Sequence, residues 1–424
     1  MKNLLTVLAL SISCLAQSGT TPSGGSGTLA FTNGNWFDGH AFKHRTAYSI
    51  AGVLSFRRPG HVDSIVDLAG GFAVPPFGEA HNHNVEPLSK LDVLIPRYLN
   101  HGIFYVKNPS NLPAGRNQIL DKVNRPESID VVFSNGGLTG KDGHPVELVK
   151  RNIDRGIWTE AEGEGQFYYT VSDEAEFDRK WPALLSTKPD FVKTFLLFSE
   201  EYERRRDDPK FLGWKGLDPA LLKIIVRKAH DAGLRVSTHI ESAADFHNAL
   251  FAGVDEINHT PGFRIGADVV THKIEEFEIS EADAKLAAKR VVYVVTTLAD
   301  NNQPVSPGKL TPRDDLNRRN LMLLKKYKVK LALGSDSYRG DTLPEALYIA
   351  SLGVFDNAAL LRLWSQDTAG TIFPARKIGL LKEGYEANFV VLKKDPLKDF
   401  SAVQHVAMAV KQGHMLQLDS PREH

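Results

Sequence analysis

Through the middle of the chain, apolar and β-branched residues fall in short runs separated by longer amphipathic stretches. The runs are Gly71–Phe77, leading out to His81 and His83, then Gly102–Lys107, Ile129–Phe133, Phe191–Phe198, Arg235–His239, Asp255–His259, Val291–Thr297 and Lys330–Leu333. Each has the length and composition of a strand buried on both faces. Several of the stretches between them read as helices. The clearest opens on Asp218-Pro219, a cap followed by proline at the first helical position, and stops at Gly233. Its Leu221, Leu222, Ile225 and Ala229 recur at a spacing that covers one face. Strands alternating with helices in this number predict an α/β fold, a (β/α)8 TIM barrel.

The two ends have a different texture. Leu29 to Val74 reads as short strands broken by turn dipeptides at Asn33-Gly34 and Asp38-Gly39. Ala387–Leu392 and Val403–Val410 are also strand-like, with turns at Asp395-Pro396 and Gln412-Gly413. The expectation is a small β-sandwich domain built from 29–75 plus 376–424, around a barrel at 76–375. No internal repeat is evident.

The first residues read as an export signal: Lys2, an apolar run Leu4–Ile12, and small residues around Cys14-Leu15-Ala16. This predicts a signal peptide at 1–16 and a flexible Ser/Thr/Gly/Pro leader at 17–28, hence a periplasmic or secreted protein. The alternative is a lipid anchor on Cys14, for which Ser11-Ile12-Ser13 is a poor lead-in. The apolar run is too short to span a bilayer, and no later run is longer, so no integral membrane segment is expected after signal removal.

Composition narrows the partners. In 424 residues, Lys+Arg and Asp+Glu are both 51, so the global charge gives no basis for a nucleic acid or an anionic membrane. A small-molecule substrate is expected; the sequence leaves homo-oligomerisation open.

In a barrel of this kind the active site lies at the C-terminal ends of the strands. On an extended strand, residues i and i+2 share a face, so His81 and His83 can present two imidazoles to one point. The fourth run carries Lys193 among apolar neighbours, where an ammonium is costly and burial lowers its pKa. A neutral amine there can take up carbon dioxide as a carbamate. The fifth run ends on His239 and the sixth on His259, and Asp336 follows the eighth. Taken singly, each also fits a hydrogen-bonded core or capping residue. Six such groups, one after another at strand ends, fit a metal centre better.

With these residues in place, the chain resembles the amidohydrolase superfamily, in its metal-dependent, binuclear dipeptidase and imidazolonepropionase-like branch with a composite β domain. The segment Ile378-Gly379-Leu380-Leu381-Lys382-Glu383-Gly384 and the run Ala387–Leu392 through Asp395-Pro396-Leu397 also resemble that family. Pro76 and Asn388 depart from it, where Gly and Asp are usual. The resemblance implies one divalent ion on His81, His83 and Asp336, a second on His239 and His259, and carboxylated Lys193 as the bridge. Imidazole and oxygen donors suit Zn²⁺. Asp336 would act as general acid–base, in hydrolysis of an amide bond of a dipeptide or N-acyl amino acid by metal-activated water. For substrate recognition the candidates are His144, which would also polarise a carbonyl, Tyr202 and Arg339. The rivals are a hydrolase of a lactone, cyclic amide or phosphoester, a mononuclear deaminase with a structural Lys193, and a binding protein without catalysis.

Overall fold

A computed structural model describes residues 27–86, 88–299, 304–305 and 309–419. The expected signal peptide and most of the leader lie outside the described residues. The barrel strands are Phe77–Glu79, Ile103–Asn108, Asp130–Phe133, Val192–Phe195, Val236–His239, Glu256–Asn258, Tyr293–Thr296 and Lys330–Leu333, and every pairing between neighbours is parallel. The third strand breaks after Phe133 and resumes as Gly137–Thr139, which pairs with the fourth. At the break, Asn111 and Asn135 replace the ladder: Asn111 N donates to Asn135 O at 2.9 Å, and Asn135 N to Asn111 Oδ1 at 2.8 Å.

The circle closes between the last strand and the first. Ala80 N donates to Leu333 O at 2.8 Å, and Asp336 N to His81 O, also at 2.8 Å. Gly334 permits this approach. A Cβ there would lie 2.7 Å from the Cβ of His81 and 2.8 Å from a methyl of Val295, closer than packed carbons come. Barrel closure and the placement of His81 are therefore one event.

The helix predicted from Asp218 spans Pro219–Asp231. Asp218 caps it by accepting from Ala220 N at 2.8 Å, and Leu221, Leu222, Ile225 and Ala229 are all buried. Gly233 ends it at φ +74°, a conformation that only glycine enters freely. Among the described residues, no helix is long and apolar enough to cross a membrane.

Strands between Thr28 and Val74 and between Phe389 and Leu416 join in one eight-stranded sheet. It is a single hydrogen-bonded sheet that curls back on itself: Leu54 N donates to Tyr385 O at 2.8 Å, and Val53 bridges Glu386. The two layers expected of a sandwich are thus continuous, around a core that includes Phe31, Trp36, Leu54, Phe389 and Val410. Asn33-Gly34 corrects the sequence reading. It makes a bulge inside the strand Thr28–Phe37, with Asn33 at φ +52°, and the hairpin turn falls at Asp38.

The sheet docks on the barrel through buried charge. Lys411 Nζ donates to Asp130 Oδ1 at 2.6 Å and to Ser128 O, and Arg376 joins Asp130 to Glu386 at 2.7 Å each. Asn388 donates to the Tyr105 hydroxyl at 2.8 Å, so the departure noted at this position is part of the same contact.

Candidate metal centre

Five of the six expected ligands lie at the C-terminal mouth of the barrel, in two clusters, and the sixth, Lys193, lies within the fourth strand. His81 and His83 follow directly on the first strand, and their Nε2 atoms lie 3.3 and 3.0 Å from one oxygen of Asp336. One donor atom from each of the three falls within 4.8 Å of the other two. Bonds of about 2.0–2.2 Å in a tetrahedral site set ligand atoms roughly 3.3–3.6 Å apart, so the set has the span a Zn²⁺-sized ion needs. The side chain of Asp336 is 25% exposed while that of His81 is 2%; the carboxylate is the member of the set that solvent and substrate can reach.

The second cluster is His239 and His259, with His239 Nδ1 and His259 Nε2 2.9 Å apart. The other nitrogen of each ring is engaged. His259 Nδ1 meets the Thr297 hydroxyl at 2.6 Å, and His239 Nε2 meets the Glu241 carboxylate at 3.2 Å. A carboxylate accepts a hydrogen bond from Nε2–H, which leaves His239 Nδ1 as the acceptor facing His259. This is the outer-shell arrangement that orients metal-ligating histidines. His81 and His259 rings lie 4.8 Å apart, so the clusters are contiguous.

Lys193 lies in the fourth strand, wholly buried, with Nζ donating to Asn258 Oδ1 at 2.6 Å. Burial pulls its pKa down to about 7; Asp336 and Glu256 act against that and Lys107 with it. Burial also drops His81 to about 3 and holds His239 and His259 well below the usual histidine range. Neutral imidazoles are what a cation needs. For Asp336, burial acts upward, but the bonds from His81 and His83 outweigh it and the group stays well below the carboxylate range. Two ligands carry backbone strain: His259 at φ +79° and Asp336 at φ +51° occupy the left-handed region. Each costs on the order of 1–3 kcal/mol, and such residues gather at functional sites.

His144 joins this group. Its ring lies 5.0 Å from that of His239, and its Nδ1 is 2.5 Å from Glu147 Oε1. The glycines before it allow close packing; a Cβ on Gly140 would strike the carbonyl of Gly216 at 2.2 Å. Tyr202 and Arg339 are not brought in. Tyr202 opens the short helix Tyr202–Arg205 and lies under Arg206. Arg339 is exposed, with its backbone NH donating to Ser337 Oγ.

The arginine that does reach the site is Arg264, in the loop after the sixth strand. It donates through Nε to Glu241 at 2.8 Å, pairs with the same oxygen through Nη2, and lies 4.8 Å over Trp214. Nothing in the local sequence marks it, since its role depends on Glu241 from another strand end. Tyr338, stacked on His83 at 5.1 Å, is a second neighbour the sequence did not reveal.

The chain is a (β/α)8 barrel with a curled terminal sheet, and the histidine–carboxylate cluster at its mouth is a set that can hold a metal ion. Residues 215–416, just under half of the chain, match the model of the amidohydrolase family. The match takes in His239, His259 and Asp336. Ochratoxinase of Aspergillus niger is 25% identical over 205 residues, which are 47% of this chain and 40% of that protein; the aligned stretch spans less than half of this relative. The crystal structure of A. niger ochratoxinase superposes with a TM-score of 0.70 at 17% identity, covering 92% of this chain and 96% of that one. A prolidase complexed with N-methylphosphonate-L-proline gives 0.68 at 17%, over 92% and 100%. Molinate hydrolase gives 0.65 at 15%, over 92% and 95%. At these identities the likeness is one of fold.

Proposed function

We propose that this protein is a metal-dependent amidohydrolase that cleaves the C–N bond of a dipeptide or an N-acyl amino acid. The observation that carries this reading is the pair of clusters, His81/His83/Asp336 and His239/His259, with Lys193 buried in the barrel interior beneath them. Folds alike to this one include a prolidase and a Xaa-Pro dipeptidase, which supports the choice of amide substrates. In this reading His81, His83 and Asp336 hold one divalent ion and His239 and His259 a second, with the carbamate of Lys193 between them; the donor set suits Zn²⁺. Bound there, the ions would polarise the substrate carbonyl and acidify water.

The chain's own residues do the rest. Asp336, charged and partly open to the mouth, takes a proton from the attacking water on its carboxylate and passes it to the leaving nitrogen. Burial lowers the pKa of His144, and Glu147 partly offsets this. With Nδ1 engaged by Glu147, the neutral ring offers a lone pair at Nε2, which suits accepting a substrate N–H better than donating to a carbonyl. The export pattern at 1–16 supports a reaction outside the cytoplasm.

The test is a substrate panel of dipeptides and N-acyl amino acids beside lactones, cyclic amides and phosphoesters, on Zn²⁺-loaded protein. Amine release, lowered about 10²–10⁴-fold in Asp336→Asn, is the expected result. Turnover confined to lactones or phosphoesters would move the reading to that chemistry. A metal-loaded protein inert on the whole panel would end it.

A further inference from the structure

Beneath the metal centre, the barrel interior holds two buried lysines with unlike partners. Lys107 Nζ donates to the Glu256 carboxylate at 2.7 Å. Lys193 Nζ donates instead to a neutral amide, Asn258 Oδ1, at 2.6 Å. The orientation of that amide is fixed from below. Asn258 Nδ2 donates to Glu256 Oε1 at 3.0 Å, and a carboxylate paired with Lys107 can only accept. The Ser237 hydroxyl lies 2.7 Å from Asn258 Oδ1 and 2.9 Å from Glu256 Oε1, and its single hydrogen, when given to the nearer oxygen, supports the same orientation. Asn258 and Ser237 are fully buried, so a flipped amide would leave donors facing donors.

We infer that Asn258 is a positioning residue, which aims the Lys193 nitrogen and holds the one N–H that remains after carboxylation. The inference rests on the carbamate reading of Lys193 given above. In that step the amine lone pair attacks the carbon of CO2. An N–C bond forms, one C=O electron pair moves onto oxygen, and one N–H proton leaves to water. The carbamate nitrogen keeps a single hydrogen, and with that hydrogen on Asn258 Oδ1 the planar carbamate has one orientation left about its nitrogen. Glu256, Ser237 and Lys107 act through Asn258 by fixing which of its atoms faces the lysine.

The experiment compares wild type, Asn258→Leu and Ser237→Ala in Zn²⁺ and ¹³C-labelled bicarbonate, reading the carbamate carbon by NMR and the ions bound per chain. Wild type is expected to carry the label and two ions. Asn258→Leu is expected to lose the label and bind the second ion about 10–100-fold more weakly, with partial recovery at raised bicarbonate and the first ion retained. Ser237→Ala, which keeps the amide but frees it to turn, should need more bicarbonate than wild type, and it decides the matter if Asn258→Leu fails to fold. Equal labelling at ambient bicarbonate in the folded variants overturns the role of Asn258 alone. An unlabelled wild type overturns the carbamate bridge itself.

Discussion

His239 Nδ1 and His259 Nε2 face each other at 2.9 Å while their outer nitrogens are engaged by Glu241 and Thr297. With the Thr297 hydroxyl donating to His259 Nδ1, the Nε2–H of His259 donates to His239 Nδ1; a cation on both rings would replace that bond, with the hydroxyl turning to accept from Nδ1. Thr297→Val keeps the shape and removes the partner of His259 Nδ1. The second ion is expected to bind about 10–100-fold more weakly, with the first unaffected; titration with Zn²⁺ checks it.

Acid should unload the centre in two ways. Lys193 has a folded pKa of about 7, below its ordinary 10.5. Carboxylation needs the neutral amine, so uptake of CO2 and of the second ion should fall as pH drops below about 7. His81, at about 3 against 6.5, is neutral in the fold where the unfolded chain is protonated. Its contribution to stability is complete above 6.5 and is lost as pH falls toward 3, at up to about 1.4 kcal/mol per pH unit. Urea unfolding of metal-free protein at pH 7, 6 and 5 should show the decline; a flat profile would refute it.

Burial raises the Glu241 carboxyl to about 7 even with Arg264 beside it, so removing the arginine leaves a buried acid that must take up a proton and lose its partner. Arg264→Met strands Glu241, which also orients His239. The expected loss is about 3 kcal/mol of stability, with weakened second-ion binding. Arg264→Lys should recover stability in part, since a lysine cannot reproduce the two-pronged contact.

Gly334→Ala is a small change with a large reach. The added methyl meets His81 and Val295 where the last strand joins the first. Overpacking of this kind costs about 1–3 kcal/mol, and here it displaces a ligand as well. Reduced first-ion affinity together with a lower melting temperature is the expected pair of effects. A drop in melting temperature with unchanged metal affinity would show that the strain relaxes elsewhere.

The barrel and the polar residues gathered near its mouth could be read in the sequence because such residues stand out where apolar strands end: His239, His259 and Lys193 each interrupt or close such a run. Their partners could not. Glu241, Arg264 and Thr297 lie in loops or at the ends of other strands, and only the closed barrel brings them beside the histidines. Tyr202 and Arg339 follow strand ends too, but position after a strand does not by itself bring a side chain to the histidines: Tyr202 meets Arg206, and Arg339 is exposed. Asn33-Gly34 shows the limit of a local signal. The dipeptide does take a positive φ, but as a bulge in a strand held straight by neighbours distant in sequence. The left-handed backbone of His259 and Asp336 leaves no trace in residue type at all.

The curled sheet ties together residues that a ribosome makes at opposite ends of its work. Ser55 bonds Glu383 across 328 residues, and Phe72–Val74 waits for Phe389–Leu392 as its antiparallel neighbour. A nascent chain that has already completed every barrel strand still presents that edge open, next to the segment that carries His81 and His83. Until the last strands emerge, the edge beside that segment stays unpaired, and the barrel must hold its mouth in shape without the sheet.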